Sequence, residues 1–524
     1  MMSDKILVYN TSIVINDYNI GDCIQLENNF RIVRNFKEYY IGIYYDQDTK
    51  KLYLPRGIDL WYLEKLFEAQ PKIMVNSYNK FYRYNDAMIK ALPRDDTQRK
   101  TLRFMLGKGE FSNLQNKSQL AVNLYMGKGK TYLTIASLVY LGIRGIIIAS
   151  SSGWLNQWYN EILAKTDLTD QSVYVIVGSG SIHRLKRMSE QQLSRYKIFL
   201  ITHSLLRSYA SDNGWESIRE LFEFLQIGIK VFDEAHLDYN NICMIDYFTN
   251  VYKTYYLTAS PGRSDDIEDK IYRMSFKNIP KIDLFNEDED PHTDYIAIFF
   301  NSRPTAGQIS LCKNKYGLDR NRYTDYVVNQ DNFNKLIIIL MDLCNRIAPN
   351  QDDKILIYIG TNNSIRIVYE FLINNYPELY DNIGIYTSIV SVEEKRLTKT
   401  KRIILSTTKS AGAALDIKGL KVTINLAEPY KSAITAKQSI GRTRADNTFY
   451  LDIIDTGFEQ CRKFYYKKLP IFQKYSKSCS VIKLNQDELD ERYNNIINKR
   501  IQVQSTPKKL FSPINNKRLF SRIL

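Results

Sequence analysis

The chain has 524 residues, 44% apolar and 25% charged, with a formal net charge of +15. This is the composition of a soluble globular protein, long enough for roughly three or four domains, and its basic excess points to nucleic acid or an anionic surface as partner. Six cysteines without a CxxC pair argue against a zinc site or disulfide framework and for a reducing compartment; the start MMSDKILVYN has no signal-peptide pattern and no apolar run is long enough to span a bilayer.

Residues 1–90 carry short β-type runs (KILVYNTSIVI, FRIVRNF, YYIGIYY, KKLYLP) parted by turn signals. They predict a small β-rich accessory domain without recognisable chemistry. From 91 to 285, apolar runs alternate with amphipathic stretches. QLAVNLYM, RGIIIAS, VYVIVG, KIFLITH, IKVFDEAH and TYYLTAS read as buried strands, TYLTIASLVYLG and WLNQWYNEILAK as helices. Such alternation predicts a parallel α/β sheet. The acidic stretch NEDEDPHTD (286–294) reads as a linker. The pattern resumes over 295–460 with YIAIFF, KILIYIG, NIGIYT, KRIILSTT, LKVTINL and FYLDIID, predicting a second α/β domain. Residues 461–524 are assigned to a basic C-terminal extension. Its end, IQVQSTPKKLFSPINNKRLFSRIL, has no acidic residue and reads either as a solvated tail or as a binding arm.

Two motifs carry chemistry. In GKGKT (127–131), Gly127 and Gly129 allow a tight backbone turn against phosphates, with Lys128 between them as a further nucleotide-binding residue. Lys130 would reach the β- and γ-phosphates, Thr131 would ligate magnesium, and a helix N-terminus would face the anion. Leu124 stands where the full phosphate-loop pattern has its first glycine. About a hundred residues on, VFDEAH ends an apolar strand. Asp233 would hold Mg2+ and Glu234 would polarise the attacking water. His236 reads as part of this motif, since no other His or Cys stands at ligand spacing. In QSIGRTR (438–444), Gln438 would orient the water, and Arg442 would stabilise charge on the γ-phosphoryl group.

GKGKT, LNQW (155–158), VFDEAH, LTAS, STTKSAGAALDIKGL and QSIGRTR occur in order. The set resembles that of superfamily 2 helicases of the DEAH/DExH kind, over roughly residues 91–460. The GWLNQW and QSIGR wording is most similar to the group holding phage-type branch-unwinding, excision-repair and poxvirus-type transcript-release helicases. AT-rich coding and a compact basic chain point to viral or cytoplasmic-linear-plasmid members. The resemblance implies two tandem RecA-like parallel-sheet domains, ATP and Mg2+ as cofactors, and DNA or RNA as track, with polymerase or transcription machinery as a further partner. It also implies a monomer, without a membrane, in the cytoplasm or a virion.

The same resemblance places Gln98 as the reader of adenine, Asp416 against the nucleotide ribose, and Arg444 beside Arg442 at the phosphates. It gives His236, Thr258 and Ser260 a part in coupling hydrolysis to strand movement. Ser150, His203, Gly360, Thr361 and Thr407 would meet the nucleic-acid backbone. There are three departures: Ala414 replaces a glycine, Arg444 falls one residue early with Ala445 in its place, and no aromatic neighbours Gln98. Trp154 and Trp158 could stack on bases; the helical spacing of Leu155 and Trp158 favours core packing for Trp158. Two other readings stay open: a nucleic-acid-binding factor with an idle nucleotide site, and the motor of a restriction system.

Overall fold

The computed structural model describes residues 4–34, 36–74, 78–124, 128–258, 265–284, 292–315, 317–411, 417–430, 432–440 and 447–504. The chain divides into two compact units, Met1–Glu287 and Asp288–Leu524.

The first unit opens with a five-stranded sheet: β1 (Ile6–Val8), β2 (Ser12–Ile15), β3 (Tyr44–Asp46), β4 (Lys51–Pro55) and β5 (Pro71–Ile73), in the order β3-β4-β2-β1-β5. Its pairs are antiparallel except β1 with β5. Alternation sorts its side chains: Ile6, Val8, Ile13, Ile15, Leu52 and Leu54 are all buried. They share one apolar cluster with Tyr239, Cys243, Tyr247 and Phe248 further along the same unit. The accessory sheet therefore shares a core with the element it packs on.

The main sheet of this unit has seven strands: β6 (Gln119–Leu124), β7 (Gly145–Ala149), β8 (Val173–Val175), β9 (Ile198–Thr202), β10 (Ile229–Phe232), β11 (Lys253–Thr258) and β12 (Lys281–Leu284). Their order is β8-β9-β7-β10-β11-β6-β12, and every pair is parallel. β6, β7, β9, β10 and β11 are buried at every residue, as expected for a parallel sheet covered on both faces. The helices that matter below are α1 (Asp96–Leu106), α2 (Lys130–Leu141), α3 (Ser152–Lys165), α4 (His203–Asn213) and α5 (Tyr239–Phe248).

The second unit repeats the pattern with β13 (Thr293–Phe300), β14 (Lys354–Ile359), β15 (Ile383–Tyr386), β16 (Ile403–Ser406), β17 (Leu420–Ala427), β18 (Thr448–Asp455) and β19 (Ser478–Lys483). The order is β15-β16-β14-β17-β18-β13-β19, again all parallel. Numbered by their appearance in each unit, the strands of both sheets run 3-4-2-5-6-1-7. Helices α6 (Arg320–Val327), α7 (Asn362–Asn375), α8 (Ala433–Ile440), α9 (Glu459–Tyr475) and α10 (Gln486–Gln504) belong to this unit.

Residues 461–504, assigned from sequence to an extension, are folded. β19 pairs with β13 along six residues, and Phe472, Leu484 and Leu489 enter the apolar core of the second unit. The alternating, half-exposed run Ser478–Lys483 lacks the continuous apolar signature of the other strands, because it sits at the sheet edge. Residues 505–524, with most of the basic tail, lie outside the described residues, as does 286–291 of the expected linker. No described helix is long and apolar enough to cross a membrane.

Candidate functional site

The phosphate loop leads from β6 into α2. Gly129 is the N-cap of that helix, at φ 87° and ψ 28°, with no side chain capping the first turn. Only glycine enters this left-handed region without strain. A Cβ there would also stand 2.4 Å from the Gln98 amide nitrogen. The first-turn N–H groups of the 12-residue helix thus converge where an anion fits. Lys130 and Thr131 are the first two residues of that turn, and Thr131 is half-buried.

Gln98 is fastened to this loop. It lies in the first turn of α1, 5% exposed, and its backbone N–H is capped by the Asp95 carboxylate at 2.8 Å. Its side-chain amide donates to the Lys128 carbonyl at 3.2 Å, and its oxygen accepts from the Arg94 N–H at 2.9 Å. Burial lowers the Lys128 ammonium, with Asp95 opposing and Arg94 adding to the shift.

Opposite stand the carboxylates. The Asp233 N–H donates to the Ile148 carbonyl at 3.0 Å and the Ala235 N–H to the Leu257 carbonyl at 2.9 Å. The turn after β10 is therefore pinned to both neighbouring strands. Between these anchors Glu234 takes φ 48°, a left-handed backbone that a non-glycine residue adopts at a cost. Asp233 Oδ1 accepts from the Glu234 N–H at 3.0 Å and Oδ2 from the Trp158 indole N–H at 2.9 Å. Burial and the Glu234 charge push the Asp233 carboxyl up to about 6, against the pull of Lys130 and these two donors. Lys130 Nζ lies 3.3 Å from Glu234 Oε1, each side chain only 13% exposed. His236 Nδ1 is 2.8 Å from the Thr258 hydroxyl and 3.4 Å from Glu234 Oε2.

Lys130, Asp233, Glu234, His236 and Thr258 are thus linked by polar contacts, with Gln98 and Gly129 on the loop beside them. Among the described residues no three His, Cys, Asp or Glu are arranged to hold a metal by themselves. Thr131 offers a hydroxyl and Asp233 a carboxylate, hard oxygen donors of the kind that suits Mg2+ shared with nucleotide phosphates. The donor set present therefore fits that ion.

The expected nucleic-acid contacts fall into two kinds. Ser150 follows β7 with a buried hydroxyl that has no partner. Thr361 caps α7, accepting from the Ser364 N–H at 3.1 Å and donating to Asp325 at 2.6 Å. Gly360 before it allows no Cβ, since one would lie 2.4 Å from the Thr324 hydroxyl. Thr407 accepts from the Ser410 N–H at 3.0 Å. These residues lie in turns at strand ends. His203 differs: its ring is 2% exposed, stacks on Phe232 at 5.7 Å, and burial lowers it to about 4. A neutral ring in the core does not present a charge to phosphate.

Gln438 lies on α8. Gly127, Ser260, Asp416, Arg442 and Arg444 lie outside the described residues. Two polar roles escaped the sequence reading. Trp158 is buried as its helical spacing implies, yet it also binds Asp233. Glu428, directly after β17, is 3% exposed, accepts from the Thr408 N–H at 2.7 Å and pairs with Arg320. Nothing local in NLAEPY marks that role.

No protein-family model and no curated protein sequence matches the chain. Among solved structures, S. cerevisiae Dbp5 bound to RNA and ADP BeF3 aligns with a TM-score of 0.51 at 14% identity, over 77% of this chain and 93% of that one. The chain has the tandem RecA-like helicase fold. T4 UvsW aligns over 92% of this chain and 100% of its own at 14% identity, with a TM-score of 0.33.

Proposed function

We propose that the chain is an ATP-dependent nucleic-acid helicase or translocase of the DEAH/DExH kind. The observation that carries the reading is the contact of Lys130 with Glu234 at 3.3 Å, beside Asp233 and under the open N-terminus of α2. A lysine, a hydroxyl and backbone amides for phosphate meet two carboxylates for metal and water. The tandem RecA-like fold supports the reading, as does the RNA and ADP BeF3 bound by Dbp5.

The residues divide the work. The α2 amides and Lys130 bind the β- and γ-phosphates. Nucleotide phosphate competes with Glu234 for the Lys130 ammonium, and Glu234, once released, accepts a proton from the attacking water. Thr131 and Asp233 would hold Mg2+, which would supply charge neutralisation at the phosphates. Gln98, tied to the Lys128 carbonyl, is positioned to sort the base. On the sequence resemblance, Arg442, Arg444, Gln438 and Asp416 are the further nucleotide-binding residues proposed. The His236–Thr258 bond runs from the carboxylate turn to the end of β11, where Ser260 follows; it is the proposed link between hydrolysis and the nucleic-acid track. Ser150, Gly360, Thr361 and Thr407 are the proposed backbone contacts, so binding is salt-dependent and poorly sequence-selective.

The work is proposed to lie in transcription, replication or repair of a viral or linear-plasmid genome. The test is ATP turnover by the purified chain with DNA and with RNA, against Lys130→Ala and Glu234→Gln. Turnover unchanged in both variants would sink the site assignment.

A further inference from the structure

The phosphate-loop site has a component that lies outside GKGKT and VFDEAH. Trp158 lies midway along α3, which packs beside β7, and it is 3% exposed. Core packing alone would account for the ring. It does not account for the direction of the indole N–H, which donates to Asp233 Oδ2 at 2.9 Å from 75 positions away in sequence. The other oxygen, Oδ1, accepts from the Glu234 N–H at 3.0 Å. A carboxylate has about four lone-pair sites, so one protein donor on each oxygen fixes the plane of the group and leaves each oxygen a second acceptor site. The Glu234 N–H is contiguous backbone and holds only one edge. Without the indole the carboxylate can pivot about Oδ1 toward the Lys130 ammonium.

We infer that Trp158 is a positioning residue: its indole N–H orients the Asp233 carboxylate for the divalent cation that accompanies the nucleotide. The inference rests on the nucleotide site proposed above. Residues that orient metal ligands typically change metal affinity by about 10- to 100-fold when removed. A ring that only fills space has no such effect on metal dependence once packing is preserved.

The variant is Trp158→Phe, which keeps an aromatic ring and removes the donor. Binding of a fluorescent ATP analogue to the full chain is measured in EDTA and across a Mg2+ titration. The expected result is unchanged affinity in EDTA and about a 10-fold rise in half-saturating Mg2+, the low end of that range. An unchanged Mg2+ curve overturns the proposal, and so does an equal loss of affinity with and without Mg2+, which marks a structural role. A wild-type chain that binds no nucleotide overturns the functional reading, and this inference with it.

If the phenylalanine variant does not fold, the wild-type chain decides the matter. With 5-fluorotryptophan at its four tryptophans, one 19F resonance should shift when Mg2+ joins the nucleotide complex and should already be displaced in Asp233→Asn. No resonance responding to both changes overturns the proposal.

Discussion

In the seven-stranded sheet of the first unit the fifth strand in chain order, β10, runs into Asp233; in that of the second unit the fifth strand, β17, runs into Glu428. The two sheets have the same strand order, so these carboxylates occupy the same place in the same topology. Glu428 is buried and Asp233 half-buried, and desolvation raises both. Their surroundings decide what each can do. Glu428 is held by the Thr408 N–H and hydroxyl and by Arg320. Asp233 is held on one edge by each of two donors and stands beside Lys130 and Glu234.

The first strand tells the same story. After β6 comes a glycine–lysine–threonine turn that opens a helix toward anions. After β13, Ser302 donates its N–H to Asp455 at 3.1 Å and its hydroxyl to the same carboxylate. One sheet end leads into a helix whose first turn has no side-chain cap; the other is closed by its own side chains. Function here lies in the sites grafted onto the topology, and not in the topology.

Substitutions can break that contrast. The largest effect is expected at the first unit: Lys130→Ala and Glu234→Gln should each lower ATP turnover by about 100-fold or more, with thermal unfolding unchanged. Steady-state phosphate release checks this. The pH profile sharpens it. The Asp233 carboxyl is pushed up to about 6, and only its ionised form serves the metal. The kcat/KM for nucleotide, which reports the free site, should therefore fall as pH drops through about 6, approaching tenfold per unit below it. A flat profile from pH 7 to 5 would contradict the assignment.

His236→Ala removes the 2.8 Å contact with Thr258. A buried hydrogen bond is worth about 1–3 kcal/mol when one partner is left unsatisfied. The expectation is several-fold loss of nucleic-acid-stimulated turnover with nucleotide affinity retained, read by comparing rates with and without polymer. The smallest effect on nucleotide chemistry belongs to Glu428→Gln. It should destabilise the second unit by about 1–3 kcal/mol, measured by denaturant unfolding, and leave nucleotide affinity unchanged.

Six of the seven strands in each main sheet were legible in sequence because each has a local signature, and the edge strands β12 and β19 were not. Continuous apolar runs such as GIIIA and KILIYI mark doubly covered strands. GKGKT and DEAH compress their chemistry into a few adjacent residues. What stayed hidden depends on distance along the chain. The Trp158 bond to Asp233 spans 75 positions and that of Arg320 to Glu428 spans 108. Neither leaves a periodicity. His203 looked like a polar residue at a strand end, but its ring turns inward onto Phe232. β19 was missed because an edge strand with exposed alternate residues looks like an extension. The shared core of the N-terminal sheet with Tyr239 and Tyr247 was invisible for the same reason of range.

The most direct test of a motor built on Lys130, Asp233 and Glu234 is ATP hydrolysis by the purified chain, titrated in parallel with single-stranded DNA, double-stranded DNA and RNA, with Glu234→Gln beside it. The expected result is turnover stimulated by at least one polymer in the wild type and lost in the variant. Tight polymer binding with no ATP turnover under any condition would contradict the motor and leave a nucleic-acid-binding protein with an idle nucleotide site.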